Sequence, residues 1–196
     1  MTIMLFPEFE TLDVFGPVEV LGHCAAYSLD YYSMEGGIVI SSQGVAVMTK
    51  PIAQAERSGV LFIPGGQGTR PLVTDARFLA LVNELATEAS YTLTVCTGSA
   101  VLAAAHFLDG RKATSNKRAF QWVSNVSRAV LWQPKARWVK DGNCYTSSGV
   151  SAGIDMALGF IADQQGRSEA ESIAAAIEYV WQSDAEIDPF AFAGDQ

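Results

Sequence analysis

The chain has 196 residues, 49% hydrophobic and 17% charged, a balance that supports a packed core and excludes a disordered chain. Its formal net charge of −8 argues against a nucleic-acid surface, which needs clustered Lys and Arg; the most basic stretch, Lys112 to Arg118, reads as a solvated loop edge. No apolar run approaches the roughly 20 residues of a membrane span, MTIMLFPEFE lacks the pattern of a signal peptide, and three scattered cysteines fit neither a disulfide framework nor a CxxC metal site, so a cytoplasmic protein with reduced thiols is expected.

In chain order, Ile3–Phe6 reads as a short buried strand. Thr11–Ala25 follows with helical spacing, placing Leu12, Phe15, Val18 and Leu21 on one side. Ile38–Met48, around Gln43-Gly44, reads as an antiparallel hairpin. Val60–Ile63 is a second buried strand, and Asp75–Ala89 a helix carrying Phe78, Leu79, Val82 and Leu85. Tyr91–Val95 is the third strand, leading into helical segments at Ser99–Phe107 and Lys117–Val126. Arg137–Ser147, around Asp141-Gly142-Asn143, predicts another antiparallel hairpin, and Ser151–Gln164 and Ser168–Val180 predict helices. Residues 1–180 are expected to form one α/β domain, with a mostly parallel sheet covered by helices on both faces. The acidic tail at 181–196, with Pro189 and Phe190, is expected to pack on the body or on a partner.

In such a sheet, ligands bind beyond the carboxyl ends of the strands. Cys96 stands at such an end in TVCTGSAVLAAA, where a tight turn would project its side chain as a nucleophile elbow. The N–H groups that open the next helix would favour a thiolate and hold a developing oxyanion. Position alone leaves a packed, inert cysteine equally open. Ile63-Pro64-Gly65-Gly66-Gln67-Gly68 closes a neighbouring strand; as an isolated motif it is a plain turn, but its N–H groups could face Cys96. Asp13 and Glu19 follow the first strand as candidate acids, with helix capping and an exposed helix position as their structural alternatives. Cys24 and Cys144 read as packing residues, and Trp122, Trp132, Trp138 and Trp181 are too scattered for a base-stacking platform. Ser147-Ser148-Gly149 reads as a polar loop that could border the crevice.

The segments LFPEFETLDVFGPVEVL, FIPGGQG, VCTGSAVLAAAHFLDGRKAT and DGNCYTSSGVSAGIDMAL, in this order, resemble the ThiJ/PfpI superfamily of class I glutamine amidotransferase-like proteins, and within it the isonitrile hydratases. The resemblance runs from about Ile3 to Tyr179. It implies a flavodoxin-like three-layer sandwich, a homodimer with active sites near its interface, and a small-molecule substrate. It maps Cys96 onto the reactive elbow cysteine, and the N–H groups of Gly66 and Thr97 onto an oxyanion site. Asp13 matches the acid that hydrogen-bonds the sulfur, Glu19 falls on a more structural acidic position, and the Thr97 hydroxyl belongs to the active site. Gly65, Asn116 and Ser148 are further pocket candidates.

Many relatives carry a His where this chain reads Ala113-Thr114-Ser115-Asn116. An amide is no general base near neutral pH, so a protease-like Cys-His mechanism is disfavoured. His23 and His106, the only histidines, lie in helical segments away from the elbow, and no metal site or cofactor is expected. The hydratase chemistry implied needs neither. A thiol with a lowered pKa would attack the terminal isonitrile carbon, Asp13 would deliver a proton, and water would release an N-substituted formamide. A glyoxalase- or deglycase-type enzyme acting on reactive carbonyls and a non-enzymatic cysteine redox sensor are the alternatives. No helix-turn-helix segment follows the Ser168 helix, so direct control of DNA is not expected.

Overall fold

The computed structural model describes residues 1–191. Its centre is an eight-stranded sheet in the order β3-β4-β2-β1-β5-β6-β10-β9. These strands are β1 (Thr2–Met4), β2 (Asp30–Ser33), β3 (Gly37–Ile40), β4 (Ala46–Pro51), β5 (Val60–Ile63), β6 (Tyr91–Val95), β9 (Trp138–Asp141) and β10 (Cys144–Ser147). A two-stranded ribbon, β7 (Lys112–Ala113) with β8 (Leu131–Trp132), lies apart from it. The helices are α1 (Thr11–Gly22), α2 (Thr69–Leu72), α3 (Ala76–Glu88), α4 (Gly98–Ala104), α5 (Phe120–Val126), α6 (Ala152–Gln165) and α7 (Arg167–Ala176). Helix α6 packs against α1 and α7, while α4 packs against α2, α3 and α5, which separates the helices into two layers about a flavodoxin-like sheet. Among the described residues, no helix is long and apolar enough to cross a membrane.

Continuous burial explains the central strands. All four residues of β5 and all four of β10 are buried, as is β6 from Thr92 onward, so these strands read as apolar or small-residue runs without alternation. Both expected hairpins form, with Ile38 opposite Met48 and Asp141 opposite Cys144. Each contributes one parallel strand to the sheet, a point the hairpin signal does not carry. β4 runs parallel to β2 and β10 parallel to β6, so only β3 and β9 are antiparallel edges. The pattern also misses β2: Asp30-Tyr31-Tyr32-Ser33 is short and polar, and only its parallel pairing with β1 and β4 makes it a strand. Several helices are shorter than their periodicity suggests. The first stops at Gly22, and the segment expected from Lys117 begins only at Phe120, because the Lys117 side chain is drawn inward instead.

That inward lysine belongs to a buried polar cluster that fastens residues 181–191 to the body. Arg137 Nε donates to Asp155 Oδ2 at 2.7 Å, and Arg137 Nη1 lies 3.5 Å from Asp188 Oδ1. The Gln182 N–H donates to Asp155 Oδ1 at 2.9 Å, Trp181 Nε1 to the Asp155 carbonyl at 3.1 Å, and the Arg137 N–H to the Ala185 carbonyl at 2.7 Å. Lys117 Nζ donates to Thr114 Oγ1 and to the Ala136 carbonyl; burial lowers its pKa to about 8, against the pull of Asp188. Burial also holds the Asp155 carboxyl above its ordinary range despite the guanidinium beside it. A pair this deep is sustained only while both partners are present. Arg137→Ala should therefore lower stability in urea unfolding by about 3 kcal/mol. It should also open residues 181–191 to limited proteolysis; a loss below about 1 kcal/mol, the range of a surface ion pair, would refute the buried lock.

Candidate active site

The neighbouring strands β1, β5, β6 and β10 all end at the same edge, and each is followed by a segment that meets at Cys96. Cys96 itself adopts φ 57°, in the left-handed region that a side chain with Cβ seldom occupies. The turn is held from several directions. The Cys96 N–H approaches the carbonyls of Ser147 and Ser148 at 3.2 and 3.3 Å, and its carbonyl accepts from Ser115 Oγ at 2.8 Å and Ser99 Oγ at 3.1 Å. Gly98 completes the elbow. A Cβ there would lie 2.6 Å from the Pro64 carbonyl oxygen and would collide with Thr94 Oγ1.

Asp13 is fully buried in the first turns of α1. Its Oδ2 accepts from the Gly65 N–H at 2.9 Å, Oδ1 has no hydrogen-bond partner, and the carboxyl sits against the Cys96 thiol. Gly65 lets these groups meet, since a Cβ there would lie 2.8 Å from both Asp13 Oδ2 and Cys96 Cβ. The approach to α1 is fixed by pairing of the chain around Phe9 with Gly66, whose φ of 127° and closeness to the Glu8 carbonyl admit only glycine. Asn116 reaches the sulfur with its amide while its Oδ1 accepts from the Ala119 N–H at 3.0 Å. Gly149 leaves room for that contact: a Cβ would collide with Asn116 Nδ2 and lie 3.1 Å from Cys96 Sγ.

One expectation is corrected, a thiol with a depressed pKa. Burial, and then the charge of Asp13, push the Cys96 thiol well above its ordinary value, outweighing the Thr97 N–H and the Asn116 amide. Burial likewise raises Asp13 well above the usual carboxylate range, against the Gly65 N–H. The pair, rather than the cysteine alone, governs the supply of thiolate. The Gly66 N–H donates to Thr97 Oγ1 at 3.0 Å, and the Thr97 N–H stands on the side of the Cys96 sulfur, where it favours the thiolate. The Thr97 hydroxyl is also turned into the fold, where Thr69 Oγ1 lies 3.1 Å away.

The sulfur faces a cavity of about 370 Å³ lined in part by Glu10, Gln67, Arg70, Asn116, Arg118 and Val150. An apolar cavity of about 490 Å³ adjoins it through Asn116, Arg118 and Val150, with Leu12, Ser148 and Phe190 on its walls. Glu19 is exposed and pairs with His23 at 3.2 Å, and exposed His106 pairs with Asp109 at 3.0 Å, so neither histidine enters the site. Cys24 and Cys144 are buried in the core. Among the described residues, no group of three or more His, Cys, Asp or Glu could hold a metal ion.

Residues 1–163 match the DJ-1/PfpI family. The chain belongs to that family. It is 34% identical over 179 residues to the isonitrile hydratase of Pseudomonas putida, covering 90% of this chain and 76% of that one. It is 30% identical over 169 residues to the HTH-type transcriptional regulator CdhR of Pseudomonas aeruginosa, covering 83% of this chain and 50% of the regulator. Among solved structures, a ThiJ/PfpI family protein from Pseudomonas syringae superposes with a TM-score of 0.84 at 31% identity, over 91% of this chain and 74% of that one. Drosophila melanogaster DJ-1beta shares the fold, with a TM-score of 0.78 at 20% identity over 92% and 97% of the two chains.

No local pattern marks Arg70 or Thr69, Arg118 reads in sequence as part of a solvated loop edge, and Phe190 as part of the tail; the fold brings Arg70, Arg118 and Phe190 to the cavities and Thr69 to Thr97. Ser147-Ser148-Gly149 is legible in the sequence as a loop bordering the crevice, and it closes the buried strand β10 beside Cys96. Replacement of Asp13 tests the coupled pair. Asp13→Asn removes the charge that raises the thiol and keeps an acceptor for the Gly65 N–H, so the pH profile of Cys96 alkylation by iodoacetamide should move to lower pH. Stability should respond in the opposite sense to an ordinary carboxylate. A raised folded pKa means that the fold holds this proton more tightly than the unfolded chain, so the group's contribution weakens as pH rises above about 3.9. Asp13→Asn should therefore stabilise the protein at pH 7 by on the order of 1 kcal/mol, a gain that shrinks as pH approaches 4 in chemical denaturation.

Proposed function

We propose that the protein is an isonitrile hydratase, converting R–N≡C and water into the formamide R–NH–CHO. The observation that carries this reading is the buried pairing of Cys96 with Asp13, with no histidine near either. It is supported by the 34% identity to the Pseudomonas putida isonitrile hydratase.

An isonitrile carbon is both electrophilic and basic once attacked, so the reaction needs a nucleophile and an acid at one point. In the proposed cycle the thiol proton passes to Asp13 as Cys96 Sγ forms a bond to the terminal carbon. Asp13, which burial makes a stronger base, accepts that proton in its carboxylate form and then returns it to the same carbon, giving a thioformimidate. Water adds across the C=N bond, supplying its proton to nitrogen and its hydroxyl to carbon. Collapse of that adduct breaks the C–S bond, returns the hydroxyl proton to the Asp13–Cys96 pair and releases the formamide. Asn116 steadies the sulfur through its amide, a task that needs a donor and no base.

Steady-state turnover of cyclohexyl isocyanide tests this. Cys96→Ala should abolish formamide production, and Asp13→Asn should lower kcat by about 10²-fold even though its thiol alkylates more readily. Glu19→Gln should leave turnover within about twofold, as suits an exposed helix position. Methylglyoxal consumption that depends on Cys96, in a protein inert toward isonitriles, would overturn the reading in favour of carbonyl chemistry.

A further inference from the structure

We infer that the substrate of this site carries a carboxylate, and that Arg70 and Arg118 recognise it. The inference rests on the isonitrile reading and names its substrate class: an α-isocyano carboxylate with an apolar side chain, the product being the corresponding N-formyl amino acid.

Both arginines line the cavity into which Cys96, Thr97 and Asn116 face. Arg70 follows the glycine turn in α2 and places its guanidinium over the Trp122 ring of α5, 3.7 Å from the ring centre. Stacking fixes the plane of a guanidinium and leaves its N–H edge free, the arrangement suited to a planar carboxylate. Arg118 lies two residues beyond Asn116, on the wall shared by the polar and apolar cavities. Neither guanidinium has a carboxylate within ion-pair distance among the described residues; Arg57, Arg77, Arg137 and Arg167 have one, and of the arginines without one only Arg70 and Arg118 line this cavity. The opposing charge at the cavity is Glu10, whose Oε1 accepts from Gln43 Nε2 at 2.9 Å. Two cations against one carboxylate make this wall locally positive on a chain of net charge −8.

The adjoining cavity supplies the second half of the specificity. Leu12, Val150 and Phe190 give it apolar walls, and it meets the polar cavity at Asn116 and Val150, beside the sulfur. A substrate with its isonitrile carbon at Sγ can direct a carboxylate toward Arg70 and Arg118 and a hydrocarbon side chain toward Phe190. A monofunctional hydrocarbon isonitrile leaves both guanidinium groups without a partner.

Two measurements separate this inference from the reaction on which it rests. The first needs no turnover: rates of Cys96 alkylation by iodoacetate and by iodoacetamide, read by peptide mass in wild type, Arg70→Gln, Arg118→Gln, the double variant and Arg118→Lys. The iodoacetate-to-iodoacetamide ratio should fall by about tenfold in the double variant and hold within about twofold in Arg118→Lys, with the iodoacetamide rate nearly constant. It should also fall with added salt in the wild type. A ratio indifferent to both arginines overturns the carboxylate subsite. The second compares turnover of 2-isocyano-4-methylpentanoate with that of its methyl ester. The arginine variants should raise KM about tenfold for the acid and leave the ester unchanged. An arginine-dependent alkylation ratio without turnover of either isonitrile would keep the anion subsite and overturn the hydratase reading. Equal turnover of acid and ester in every variant would keep the hydratase reading and overturn this one.

Discussion

The site depends on one backbone constraint, the left-handed turn at Cys96. A residue with a Cβ in that region is strained by about 1–3 kcal/mol, and it persists only where its surroundings over-determine it. Here the carbonyls after β10, the hydroxyls of Ser99 and Ser115, and the bare Cα of Gly98 do so together. With the turn in place, Sγ is lifted out of the sheet and toward the cavity. Without it, a strand residue at this position would point into one helical layer or the other, as its neighbours do.

From this turn the chemistry follows by exclusion of water. A buried carboxyl beside a buried thiol has little solvent to stabilise either anion, so both hold their protons more firmly than in water. The pair then suits a reaction in which a proton leaves sulfur and arrives on carbon within one encounter. The same burial requires dense support. Gly65, Gly66 and Gly149 are places where a single Cβ would push apart groups that must touch.

The second organising feature is the Arg137 cluster. Arg137 joins α6 to residues 181–191, and Phe190 thereby becomes part of the apolar wall that adjoins the Cys96 cavity. Asp188 anchors this end by accepting from the Phe190 N–H at 2.9 Å while its own N–H donates to the Lys135 carbonyl. A segment remote in sequence from the elbow therefore shapes the space the substrate enters, through ionic contacts that no local pattern reports.

The residue pattern alone specifies the class of fold and the position of a candidate nucleophile. Short apolar runs alternating with helical periods specify buried parallel strands, and a cysteine at the end of one of them, followed by Gly98, specifies an elbow. Asp13 and Glu19 stand level as candidate acids by position, and only the family resemblance favours Asp13. Tertiary structure alone decided the rest. β2 is a strand only because β1 and β4 flank it, and each hairpin joins the sheet through one strand because of where its neighbours lie. The thiol's pKa rises because desolvation depends on everything packed around it, whereas the favourable helix terminus is visible locally. Arg70, Arg118 and Phe190 reach the cavity from three separate segments, and only folding determines which charges meet partners and which face open space.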